Sequence, residues 1–230
     1  VNRVLTVARL HVVGWPGFLG WPWGILASSF LVNLAIWNVV EEAGSGSGTG
    51  GVVSLPIVAA VAASQWVTRL LPLAMALGAS RRAFFLATLL ACTALAAVHG
   101  TGLLLGDALE RATGGWGASL EFFGAFVPEG AGAATRWAAL TAPVLAALVA
   151  GVATGAVLQR WGTNGLFVTT SALVLVLGGA AVLVSARGWW GDLGDALTAM
   201  PAATLLGALP LALAAALAGA AWAALRRTTP

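Results

Sequence analysis

Two histidines, one cysteine, eight carboxylates and eleven arginines are the ionisable side chains from which this 230-residue chain could build chemistry, since it has neither lysine nor tyrosine. A phosphate-cradling P-loop needs a lysine to reach the phosphates, so the Gly-rich stretch 44–51 is not a nucleotide site. His11 and His99 lie far apart and neither is followed by Glu, which excludes a helical H-E-x-x-H zinc motif. Cys92 is alone inside an apolar run, so no intrachain disulfide or multi-cysteine metal site can form, and it reads as a small buried hydrophobe. A Ser80/His99 nucleophile and base pair fails on position: Ser80 adjoins Arg81 and Arg82 at one end of an apolar stretch, and His99 lies toward the other. The chain therefore reads as a non-enzyme that binds no metal or cofactor of its own.

The elements that would position these residues are written in the composition. Apolar residues make up 60% of the chain and charged ones 8%, against about 25% charged in a soluble domain. Such a chain cannot make a polar shell in water, and lipid must cover it. Net charge is only +3, and its arginines are scattered at the ends of apolar runs; nucleic-acid binding needs them clustered on one face.

Crossing a bilayer takes about 20 apolar residues per helix, and six stretches qualify: 20–40, 51–68, 83–105, 137–158, 165–186 and 201–225. One all-α membrane domain of six transmembrane helices accounts for residues 1–230. With the N-terminus inside, cytoplasmic segments hold Arg3, Arg9, Arg69, Arg81, Arg82, Arg160, Arg226 and Arg227, and outer ones hold Arg111, Arg136, Arg187 and every acid. That asymmetry places both termini in the cytoplasm. Most tryptophans fall near predicted span ends, the level an indole prefers. Residues 1–14, with Val4, Val7, Leu10 and Val13 at helical spacing, predict an amphipathic helix on the inner leaflet. A cleavable signal peptide is the competing reading there, weakened by Trp, Gly and Pro in the supposed apolar core.

Three connections stand out. Residues 41–50 (EEAGSGSGTG) read as a flexible outer loop. The longest, 106–136, carries the apolar stretch Leu120, Phe122, Phe123, Phe126 and Val127, which either dips into the outer interface or packs onto helix ends. Residues 187–200 read as a short interfacial or re-entrant element.

The cytoplasmic segment Arg69 to Arg82 is the most distinctive. Pro72 disfavours unbroken continuation of the second span and Gly78 suits a helix C-terminus, so a short helix across the inner surface is expected, pinned by Arg69, Arg81 and Arg82. It is either a plain turn between spans or an apolar helix, including Leu71 and Met75, offered to a cytoplasmic partner. Deep in the spans, His99 invites a ligand-contact or proton-relay role, but with no acid in any span to pair with it, a neutral imidazole that satisfies a neighbouring helix is the preferred reading. Ser29 and Asn33 on the first span and Thr169 and Thr170 on the fifth could line a substrate path, or bond to neighbouring helices or back to their own. Gly151 and Gly155 form a G-x-x-x-G pattern on the fourth span. No span carries a carboxylate for a coupling ion, which disfavours a secondary carrier.

The run PLAMALGASRRAFFLATLL (Pro72 to Leu90), followed by LERATGGWG (Leu109 to Gly117), resembles actinobacterial permease subunits of ABC transporters of the ABC-2 type. The six-helix layout and amphipathic N-terminus extend the resemblance over nearly the whole chain. It implies a multi-pass plasma-membrane half-transporter that pairs with a second permease subunit, identical or paralogous. Each subunit would dock on a cytoplasmic ATPase, two copies in all, which bind the ATP and Mg. Arg69 to Arg82 would be the coupling helix. The alternative is a non-transporting accessory, sensor or self-protection subunit.

Overall fold

The computed structural model describes residues 3–12, 15–39, 49–128 and 130–226; residues 41–48 of the expected outer loop 41–50, Glu129 and Arg227 lie outside them. Among the described residues the chain is all-helical: α1 (Arg3–Val12), α2 (Trp15–Val39), α3 (Ser54–Gln65), α4 (Leu71–Ala76), α5 (Arg81–Ala112), α6 (Ala133–Arg187), α7 (Trp190–Ala199) and α8 (Leu209–Leu225). Five helical stretches are long and apolar enough to cross a membrane: Pro16–Val39, Gly50–Ala76, Arg81–Ala112, Ala133–Arg187 and Ala203–Leu225.

Two differences from the sequence reading have local causes. The expected break at Pro72 does not occur, and the backbone stays helical from Gly50 to Ala76. A π turn over Trp66–Leu70 runs directly into α4, and this local change of register lets the helix carry Pro72, which has no N–H to donate, without a break. The fourth and fifth expected spans are joined within α6, whose 55 residues contain one non-helical position, Gly162, at φ 65 and ψ −163.

Side-chain contacts give the helix directions. Phe18 stacks on Trp66 with ring centroids 4.8 Å apart, and Ser29 Oγ donates to the Gly51 carbonyl, so α2 runs antiparallel to α3. Thr101 Oγ1 accepts from Trp137 Nε1 at 3.0 Å and Asp107 meets Arg136, so α5 runs antiparallel to the start of α6. Gly151 lies against the carbonyl of Ala60 and Gly155 against that of Ser64, so α3 and this part of α6 are parallel. A Cβ at Gly151 would collide with the Ala60 backbone, and glycine is what allows the two helices to approach so closely. Ala134 shares a crevice with Ala203, and Arg160 Nη1 donates to the Ala223 carbonyl at 3.4 Å, so α8 also runs parallel to the first half of α6. Leu26, Leu55, Phe84, Leu103, Leu148 and Val152 are among the buried residues of the resulting core. By contrast, residues 167–183 are exposed at every position.

α1 packs on this body as expected of an amphipathic helix. Val7 and His11 are buried, while Leu5, Thr6 and Arg9 face outward. His11 Nε2 lies 3.0 Å from Thr88 Oγ1 and its ring meets Trp66 edge-on at 5.0 Å. Burial pushes the imidazole below its ordinary pKa, and the nearby Val7 carbonyl offsets this in part.

Candidate functional site

The segment from Arg69 to Arg82 closes the end of the bundle at which α1 lies. Leu77 caps α4, and Gly78 takes the left-handed conformation at φ 79, which only glycine adopts without strain. Gly78 N donates to the Met75 carbonyl at 3.0 Å and Ala79 N to the Ala74 carbonyl at 2.9 Å, the paired bonds of a Schellman stop. Ser80 then caps α5, its Oγ accepting from Ala83 N at 3.2 Å. Stop and start within four residues make a stiff corner.

Side chains divide cleanly at this corner. Leu71 and Ala74 are buried, and Met75 and Arg81 are half-buried. Arg69, Pro72, Gly78 and Arg82 are exposed, together with Leu73 and Leu77, the latter 68% exposed. A crevice of about 420 Å³ separates the corner from α1 and is lined by Thr6, Val7, Leu10, Ala74, Leu77 and Gly78, among others. Arg9, Arg69, Arg81, Arg82, Arg160 and Arg226 gather at this end, whereas Asp107, Glu110 and Glu121 lie at the other. The sequence marked the corner but not that α1 would form the facing wall.

The five residues expected to line a path do not converge within one chain. Ser29 and Asn33 meet beside Gly51, with Asn33 Nδ2 donating to the Ser29 carbonyl at 2.8 Å. Thr169 and Thr170 are exposed on the unpacked stretch, and Thr169 Oγ1 donates back to the Gly165 carbonyl at 2.8 Å. His99 is fully buried on α5 near the Trp23 ring, yet neither ring nitrogen has a hydrogen-bond partner. The expected bond from His99 to a neighbouring helix is therefore not made.

At the opposite end lies a cluster that the sequence reading passed over, because it placed residues 106–136 outside any helix. α5 runs on to Ala112 and carries Asp107 and Glu110 into a buried setting. Arg136 Nη1 donates to both Asp107 oxygens at 3.0 and 3.1 Å, and Arg111 Nη2 to Oδ2 at 3.1 Å. Glu110 Oε2 accepts from Phe122 N and Phe123 N at 2.9 Å and from Trp116 Nε1 at 3.2 Å, while Oε1 accepts from Gly124 N at 3.0 Å. One carboxylate thereby satisfies three backbone amides and an indole.

These bonds hold the connection after α5 against the bundle. Leu120 and Phe122 are fully buried, and Phe30 of α2 meets the rings of Trp116, Phe122 and Phe123 at 4.9–5.7 Å. The apolar stretch thus packs onto helix ends, one of its two sequence readings. Its approach is tight: Gly114, Gly115 and Gly117 have positive φ, and so do Trp116 (φ 60) and Ser119 (φ 54). The D-x-x-E-R spacing at 107–111 was the available signal, since i, i+3 and i+4 share one helical face.

The arrangement is a cap over one end of the bundle and a charged, stiff corner at the other. No family model, characterised protein or solved structure matches the chain.

Proposed function

We propose that this chain is the membrane-spanning permease subunit of an ATP-driven ABC exporter of the ABC-2 type, which couples to a separate cytoplasmic ATPase and moves a hydrophobic or amphipathic substrate. The observation that carries the reading is the corner at Arg69–Arg82: a rigid connection between two long apolar helices, presenting exposed leucines between arginines at the face where arginines gather. Such a corner can pass a push from a partner into both helices at once, because the Schellman stop and the Ser80 cap leave no slack between them. ATPase closure would then favour one packing of the bundle over another.

Six crossings with both termini in the cytoplasm belong to the same reading. α3, the first half of α6 and α8 run in one direction, and α2 and α5 in the other. Between the first half of α6 and α8 the chain must recross; residues 163–187 have the length and apolarity to do so, with Gly162 as the turning point. Arginine asymmetry sets the sidedness. The unpacked stretch 167–183 offers surface to lipid and to a second permease subunit.

The test is co-purification of a tagged copy with a Walker-motif ATPase, followed by Arg81→Glu with Arg82→Glu. Loss of the association in the double variant is the expected result; an undiminished complex would remove the corner from the coupling role. A chain that purifies stably without any ATPase would instead support the accessory-subunit reading.

A further inference from the structure

Residues 163–187 form an arm that leaves the bundle at Gly162 and returns to it through α7. The arm has no charged side chain before Arg187, and it is exposed at every position from 167 to 183. A glycine in the left-handed region stands at each end, Gly162 at φ 65 and Gly188 at φ 68, with open space around both. An arginine stacked on a tryptophan also marks each end: the Arg160 guanidinium lies 4.2 Å from the Trp161 ring centre, and that of Arg187 lies 5.4 Å from that of Trp189. Such side chains prefer the headgroup level. The run between them, 165–186, is about 33 Å long at the helical rise, a little more than the roughly 30 Å of bilayer hydrocarbon. The two ends are held differently. Arg160 Nη1 donates to the Ala223 carbonyl of α8 at 3.4 Å and Trp161 lies against Gly165, so this end is fixed to the body. At the other end Trp190 Nε1 donates to Ser185 Oγ at 2.9 Å, which ties α7 to the arm, and α7 is itself exposed at every position. Trp190, Leu193 and Leu197 share one face of α7 and Asp192 and Asp195 lie off it, the pattern of a helix lying in a membrane surface.

From these features we infer that the bilayer, and not the rest of the protein, orients this arm, and that its tilt follows the thickness of the surrounding hydrocarbon. A helix longer than the hydrocarbon leans until its apolar run fits. Between bilayers of about 27 and about 33 Å, an arm of this length passes from a lean of about 35° to upright. Gly162 and Gly188 are the hinges, because glycine changes its backbone angles at little steric cost. Thinning therefore swings the Arg187 end and α7 across the membrane surface, while the Arg160 end stays with α6 and α8. The arm thereby converts lipid composition into position. This rests on residues 163–187 crossing the bilayer, as proposed above, and not on transport.

Leu183 on the arm and Leu105 on α5 are both exposed and can carry nitroxide labels as Leu183→Cys and Leu105→Cys in a Cys92→Ala background. In nanodiscs of the full chain made from phosphatidylcholines spanning about 27 to 33 Å of hydrocarbon, their mean separation should change by about 10 Å. A Val61→Cys and Leu105→Cys pair, within the body, should stay constant. Deleting Val174–Leu177 shortens the run to about 27 Å without touching the core, and should leave the arm upright in every bilayer with no response. Trp161→Ala with Trp189→Ala and Trp190→Ala should cut the response about twofold by weakening the interfacial anchors. A constant Leu183 to Leu105 separation, as packing against a second subunit or the chain's own body would give, overturns the inference. So does a shortened arm that responds like the full one, or a body pair that shifts as much as the arm. Labelling of Thr163→Cys and Gly191→Cys tests the crossing separately. Reaction from opposite sides retains the crossing, so that a constant separation then counts against the thickness response alone; reaction from one side removes both.

Discussion

Glu110 and Asp107 are the residues whose removal should tell most. Each is a buried carboxylate whose desolvation is offset only by the donors around it. Arg136→Ala would leave Asp107 with Arg111 alone, and that arginine's side chain is 53% exposed. A loss of about 3–5 kcal/mol is expected, read as reduced thermal stability of the purified chain. Asp107→Leu with Arg136→Met should recover much of it, since no charge is then left unpaired. Glu110→Ala strands four N–H donors at once and should loosen residues 120–124 first, seen as faster amide exchange there while core amides of α5 stay protected. His11 supplies a pH-dependent contact. Its imidazole is held below its ordinary pKa, so the unfolded or undocked state binds more protons as pH falls through about 6.5. α1 docking is therefore weakened on acidification and complete at neutral pH. Proteolysis within residues 3–12 should accelerate between pH 7.5 and 5.5, and His11→Phe should remove that dependence. Of these three anchoring roles only the Asp107, Glu110 and Arg111 spacing left a trace in the sequence; the partners of Glu110 are backbone amides whose positions only the folded loop fixes, and His11 meets Thr88 only once α1 has docked.

The helices themselves were largely legible. Apolar runs of spanning length cannot be hidden, and their arginine-marked ends located α1, the corner at 69–82 and the start of α5. What escaped was where helices end when their ends are polar. α5 continues through Asp107, Glu110 and Arg111 because tertiary partners satisfy those groups, whereas hydropathy alone stopped it near Leu105. Pro72 misled in the opposite direction, since the π turn just before it absorbs the disturbance that made it look like a break. Gly151 and Gly155, a G-x-x-x-G pattern in the sequence, set the distance between α3 and α6. Gly151→Leu should force those helices apart at Ala60. The expected outcome is a loss of several kcal/mol, about the scale of overpacking against unyielding backbone, with Gly178→Leu, which meets nothing, as the silent control.

For the molecule as a whole, the prediction is one of sidedness. Single cysteines placed in a Cys92→Ala background at Thr6 and Leu77 should share one accessibility, and one at Ser119 should have the other. An impermeant maleimide added to intact cells should label Ser119→Cys and spare the first two; identical behaviour of Leu77→Cys and Ser119→Cys would dissolve the alternating directions on which the six-crossing reading rests. Segregation of charge is what suggests this whole-molecule layout from the sequence, because insertion responds to arginine content and not to packing, and the labelling is its test.

The stretch 167–183 is exposed at every position, and this sets it apart during biogenesis. A helix that owes nothing to its neighbours partitions from the insertion machinery on greasiness alone, so an unrelated Leu/Ala sequence of equal length should be accepted there with the monomer's melting unchanged. Whatever such a transplant does damage can then be charged to an assembly of several chains, which turns one featureless segment into a reporter of quaternary structure.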